Sequence, residues 1–172
     1  MNLQRESTTM ATHPAPALEH IADLTVLVAA PVEAGQVTGI NSRGNRRIIP
    51  IIGGTLKGPR LNGRVLPGGA DFQLVVSATA TDLNARSIIA LDSPDFGGEH
   101  LYVQNRPLRI GSATDIAKLV RGEAVDPAAI YFRGVPTFEV SSRKLDWLTE
   151  GIFLTTGARY PDRVEMSLYR VG

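Results

Sequence analysis

Hydrophobic and polar positions alternate along this chain in short stretches punctuated by glycine and proline. Residues 18–32, LEHIADLTVLVAAPV, are rich in β-branched side chains with rough alternation and predict a strand; a glycine-containing turn is expected over 35–44. Residues 46–56 predict a second strand with IIPII at its centre, and Pro50 assigns it to an edge or a bulge because proline cannot donate to a ladder. After a short extended piece at 61–66, Pro67-Gly68-Gly69 reads as a turn. Residues 71–80 alternate well, with Asp71, Gln73, Val75 and Ser77 on one face and Phe72, Leu74 and Val76 on the other. Residues 85–92 and 100–106 predict a hairpin around 93–98, and further strands follow at 129–133, 137–142, 151–156 and 163–171. One helix interrupts the series. Ser112 or Thr114 can cap it, Ile116, Leu119 and Val120 share a face, Gly122 suits the position past its end, and Ser112 with Asp115 resembles a capping box.

About eight to ten short strands with Gly/Pro turns and one short helix predict a mainly β protein, an antiparallel barrel or sandwich. No βαβ rhythm appears and no GxGxxG joins a strand to a helix, which disfavours a dinucleotide fold. Residues 1–16 are polar, Pro-punctuated and aperiodic and are expected to form a disordered tail ahead of a single barrel domain at 17–172.

Composition narrows the chemistry. The formal net charge is +1, from 18 basic and 17 acidic residues, and the turn arginines Arg43, Arg46, Arg47, Arg60 and Arg64 make no concentrated stripe; nucleic-acid binding is not expected. Without cysteine there is no disulfide or thiolate chemistry, and the three histidines lack metal-ligand spacing, so no metal or cofactor is expected. The N-terminus lacks the apolar segment of a signal peptide, and the apolar run at 24–32 is too short to span a bilayer, so a cytoplasmic protein with no membrane partner is expected. No GxSxG elbow is present, and His100 is the one histidine well clear of the N-terminal segment, which makes a Ser–His hydrolase a poor fit.

Three clusters could carry chemistry. Asp71 and Gln73, two apart on a strand, pair a carboxylate with a carboxamide, either an acid/base group with its orienting partner or an exposed strand face after a turn. In YFRGVPTFE, Tyr131 and Arg133 share one face with Phe132 opposite. Arg133 could clamp a carboxylate or enolate with Glu139 as partner or base, or the two could form a structural ion pair. Trp147, the sole tryptophan, either lines a pocket or packs in the core.

Taken in order, GGTLKGPRLNGRVLPGGADFQ, ARSIIALDS, LYVQNRPLR, YFRGVPTFEV and LDWLTEGIFLTTGAR resemble the family catalogued as domain of unknown function 3237, over about residues 18 to 171. The resemblance implies one compact lipocalin-like or allene-oxide-cyclase-like barrel, often a homodimer, with some relatives in natural-product pathways. It carries over to Asp71, Gln73, Tyr131, Arg133, Glu139 and Trp147. Phe72, Ser87 and Thr149 depart from the usual pattern, where Trp, an aromatic and Asn respectively are common, and this bears on substrate identity.

The expectation is therefore a cofactor-independent cyclase, isomerase or lyase acting on a small, largely apolar metabolite. Asp71 or Glu139 would be the acid/base group, Arg133 and Gln73 would stabilise oxyanion charge, and Phe72, Tyr131 and Trp147 would shape the pocket. The alternative is a non-catalytic carrier or sensor barrel.

Overall fold

A computed structural model describes residues 12–92 and 94–172. Most of the expected tail, residues 1–11, lies outside the described residues, and residues 12–16 form exposed coil. The first half of the chain supplies β1 (Leu18–Val28), β2 (Val32–Thr38), β3 (Arg43–Lys57), β4 (Gly63–Val65), β5 (Ala70–Val75), β6 (Ala80–Asp82) and β7 (Ala85–Leu91). The second supplies β8 (His100–Asn105), β9 (Leu108–Ile110), helix α1 (Ala113–Val120), β10 (Tyr131–Gly134), β11 (Pro136–Val140), β12 (Phe153–Arg159) and β13 (Arg163–Val171). Two 3-10 turns, Pro127–Ala129 and Arg143–Leu148, complete the described elements.

All strand pairs are antiparallel, and β1 pairs with β13 on one side and β3 on the other, which closes the sheet into a barrel. Several short strands are successive segments of one bent stave. Both β4 and β5 pair with β3 and with β7, and β8 and β9 are separated only by Arg106-Pro107. Between β4 and β5 the Pro67-Gly68-Gly69 turn forms as the sequence predicts, with Gly68 at φ +105°. The next residue is constrained by space, since a Cβ at Gly69 would collide with the carbonyl oxygen of Arg86 on β7.

Residues 35–44 do not form the expected turn. β2 continues to Thr38, and the reversal is confined to residues 39–42, where Gly39 N–H donates to the Ser42 carbonyl at 2.7 Å. Gly35 marks a register shift against β3 at φ +77°, a bulge glycine on a largely exposed strand whose apolar alternation is weak. Pro50 lies beside a second irregularity, where the β1–β3 register slips between Leu27 and Val28. The helix matches its sequence signature. Ser112 Oγ accepts the Asp115 N–H at 3.1 Å and donates to Asp115 Oδ2 at 2.7 Å, and Gly122 follows at φ +77°.

The interior divides along the barrel axis. One half is apolar, with Leu56, Leu61, Ile89, Leu101 and Phe153 essentially inaccessible, and the Arg143–Leu148 turn closes it with Leu145 and Leu148. The other half, beside α1, holds most of the buried polar side chains: Arg47, Gln73, Thr81 and Arg109. Among the described residues no helix is long and apolar enough to cross a membrane.

Candidate functional site

Strand parity decides what enters the barrel. On β5, Asp71 and Gln73 point inward, opposite Ile49 and Arg47 of β3, while Phe72 lies on the outer face, 39% exposed, under the Arg86 guanidinium at 5.9 Å. On β10 the inward residue is Phe132. Tyr131 and Arg133 do share a face, as predicted, but it is the outer one, where the Arg133 guanidinium sits 5.4 Å from the Tyr131 ring centroid. Glu139 is likewise on the outside of β11, paired with Tyr102 of β8, and among the described residues no salt bridge joins it to Arg133. Trp147 packs at the far end of the barrel on Phe153 at 6.0 Å, with the guanidiniums of Arg60 and Arg170 at 4.9 and 6.0 Å from its ring. Of the sequence-predicted site residues, the structure thus brings Asp71 and Gln73 together and leaves Phe72, Tyr131, Arg133, Glu139 and Trp147 away from them.

Asp71 and Gln73 line an interior cavity of about 50 Å³ whose other walls include Arg159, Phe132, Asn105 and Met166. A second, mainly apolar cavity of about 30 Å³ abuts it, and Leu24, Val103, Asn105 and Met166 line both. Together they hold a few solvent-sized groups, well below the 300 Å³ or more of a typical ligand pocket. A larger guest needs the shared wall to yield, and Met166 is its most adaptable member, unbranched and only half-buried.

Both oxygens of the Asp71 carboxyl are held: Oδ2 accepts from Gln73 Nε2 at 2.7 Å and Oδ1 from the Asn84 N–H at 3.1 Å. Those bonds and the nearby Arg109 favour the ionised form, but burial outweighs them and pushes the Asp71 pKa up. Gln73 is itself oriented from behind. Arg109 Nη2 lies 3.5 Å from Gln73 Oε1, so the amide presents its oxygen to the guanidinium and its NH2 to Asp71.

Arg109, Arg159 and Arg47 are the residues the sequence reading missed. Arg109 is 3% exposed, and its Nε has no hydrogen-bond partner. Burial, with Arg159 and Arg47 nearby, pushes its pKa down to about 10, partly countered by Asp71. Arg159 lines the cavity, donating through Nη1 to the carbonyls of Tyr160 and Arg163, and its pKa is lowered mainly by burial. Arg47, also buried, donates to the Val120 carbonyl at the end of α1 at 2.9 Å and pairs with Glu33 at 3.1 Å. In mid-barrel, Asn105 Nδ2 donates to Thr155 Oγ1 at 3.2 Å while Asn105 Oδ1 is left without a donor. Among the described residues no group of three His, Asp or Glu side chains is placed to hold a metal ion.

A UPF0311 protein of Bradyrhizobium diazoefficiens is 42% identical over 153 residues, 89% of this chain and 95% of that protein. The crystal structure of a conserved protein of unknown function from Rhodopseudomonas palustris superposes with a TM-score of 0.82 at 35% identity, covering 93% of this chain and all of that one. A β-barrel-like protein of Acinetobacter baumannii superposes with a TM-score of 0.77 at 34% identity, covering 95% of this chain and 100% of that one. The family model described as Protein of unknown function (DUF3237) matches residues 16–171, essentially the whole barrel, and the chain belongs to that family.

Proposed function

We propose that the barrel interior is a site for cofactor-independent proton transfer on a small, largely apolar metabolite, in a cyclisation or isomerisation. The observation that carries this reading is Asp71. A carboxyl on the wall of an otherwise mostly apolar cavity, with its pKa raised by burial and its orientation set by Gln73 and Asn84, is suited to give and take a proton. Apolar side chains of Leu24, Val26, Ile49, Val103 and Phe132 line the rest of the cavity and suit an apolar ligand.

The test is conversion of metabolite pools in D2O, read by mass spectrometry. The wild-type chain should yield a product carrying solvent deuterium, and Asp71→Asn should lower that conversion at least about 100-fold while keeping its far-UV spectrum. Equal conversion by Asp71→Asn would remove Asp71 from the reaction. The carrier or sensor reading draws on one observation: both Asp71 oxygens already have partners within the protein. Recovery of bound ligand unchanged and unlabelled would establish that reading instead.

A further inference from the structure

The polar half of the barrel carries more buried positive charge than the protein neutralises. Arg47 has a carboxylate partner, Glu33, whose side chain is half-exposed. Arg109 has Asp71 as its one counter-charge; Arg159 shares Asp71 and is also near Asp162, an exposed carboxylate already paired with Arg163, and neither Arg109 nor Arg159 forms a salt bridge among the described residues. The three guanidiniums are close enough for Arg159 and Arg47 each to disfavour the charged form of Arg109. A buried cation that must share its one counter-charge with a second cation is among the costlier features a core can hold, and hydrophobic replacements of similar volume are generally tolerated there. Arg109 nonetheless occupies such a position, 3% exposed, with Nε unpartnered and Nη2 at the long limit of a hydrogen bond to Gln73. One layer closer to the cavity, Arg159 is only half-buried; it spends Nη1 on two main-chain carbonyls, and its other donors have no protein acceptor among the described residues and are open to a ligand or to solvent. The missing partner is negative, small enough for the cavity, and best matched by oxygen, since a planar fork of N–H donors is built for oxyanions.

We propose that the cavity binds its ligand through an anionic oxygen, a carboxylate, enolate or phenolate, seated on Arg159 beside Asp71 and Gln73, with Arg109 behind Gln73 supplying further positive potential. The inference rests on reading the interior as a ligand site and names the class of ligand it takes. In the proton-transfer reading, an enolate formed next to Asp71 would meet the same guanidinium that holds the ground-state oxyanion. The apolar cavity sharing the Met166 wall then receives the remainder of the ligand.

Acetate is a probe that fits the cavity, and acetamide is its neutral isostere. At constant ionic strength, acetate should raise the melting temperature of the wild-type protein in a saturable manner and shift the Arg159 side-chain Nε resonance, whereas acetamide and chloride should do neither. Arg159→Met should weaken acetate binding at least 10-fold. If that variant does not fold, the wild-type Arg159 resonance and contacts between the acetate methyl and Phe132 or Met166 decide the matter alone. An equal response to acetamide, an undiminished response in Arg159→Met, or no response in the wild type would each overturn the proposal. Asp71→Asn separates the two readings. Acetate binding that survives in it, without conversion of any metabolite by the wild type, would leave the anion site standing and end the proton-transfer reading. Conversion of neutral metabolites without acetate binding would do the reverse.

Discussion

Replacing Arg109 by methionine should make the unliganded protein more stable, an unusual outcome for a side chain 3% exposed. The fold holds this guanidinium at a pKa lowered to about 10. At about 1.4 kcal/mol for each tenfold change in proton affinity, that corresponds to about 3 kcal/mol against the charged form in the folded state. Methionine removes that term. It also leaves a small void, costing about 1 kcal/mol, and deprives Gln73 Oε1 of its donor, costing about 1 kcal/mol more. The net gain is about 1 kcal/mol, equivalent to a rise in Tm of about 2–4 °C for a chain of this length. Calorimetry with matched urea denaturation measures it. Arg109 also helps keep Asp71 ionised, so the same variant should raise the Asp71 pKa further, read by carboxyl ¹³C NMR. A fall in Tm of several degrees with an unmoved Asp71 titration would show that Arg109 holds the fold together, and the charge argument for the interior would be lost.

Three further perturbations test other parts of the structure. Because burial raises the Asp71 pKa in the fold above its ordinary value of 3.8, the unfolded chain ionises first, and the stability contributed by Asp71 should decline as pH climbs from about 4 to the folded pKa. The unfolding free energy of wild type minus that of Asp71→Asn, followed by urea titration across that range, should therefore fall; a constant or rising difference refutes the sign. Met166→Ala should cost about 2 kcal/mol while joining the two interior cavities, so that an apolar probe such as indole binds the variant and not the wild type; the same loss of stability without new binding would show that Met166 does not separate them. Gly69→Ala should lower stability by about 2–3 kcal/mol because its Cβ meets the Arg86 carbonyl, and a urea midpoint within error of wild type would show that β5 and β7 can separate there.

How much of this was legible in the sequence depends on what each strand displays. The alternation of β5 puts Asp71 and Gln73 on one face from spacing alone but does not say which face turns inward: the polar pair reads equally as an exposed strand face, and the barrel decides it. β10 could not be oriented either, because Tyr131, Phe132 and Arg133 put an aromatic on both parities. The resemblance marked Tyr131 and Arg133, while the barrel uses Phe132. The buried arginines were missed for a different reason. A charged side chain is assigned to solvent by default, and in Leu108-Arg109-Ile110 the usual pattern is inverted, with the flanking residues 52% and 40% exposed and the arginine inside. The usable signal was the inversion itself: a strand that turns its hydrophobic residues outward has a reason to carry charge inward. Gly35 misled because a bulge and a turn draw on the same conformational freedom.

The division of the interior into an apolar half and a polar half sets up a gradient of local stability along the barrel axis. Amide protons of β4 and β7 near the Leu145–Leu148 end sit over the continuous hydrophobic cluster and should exchange only on global unfolding. Those of β6 and β9, three-residue strands over the unpartnered Thr81 Oγ1 and Arg109 Nε, are tied to each other, to β5 and to β10 by ladders of only two or three residue pairs and should exchange at lower cost. Opening from that end exposes the Arg109–Gln73–Asp71 chain to water while the rest of the barrel stays folded. On the proposal of an interior ligand site, the end that carries the charged side chains would also be the door, with ligand exchange following sub-global opening.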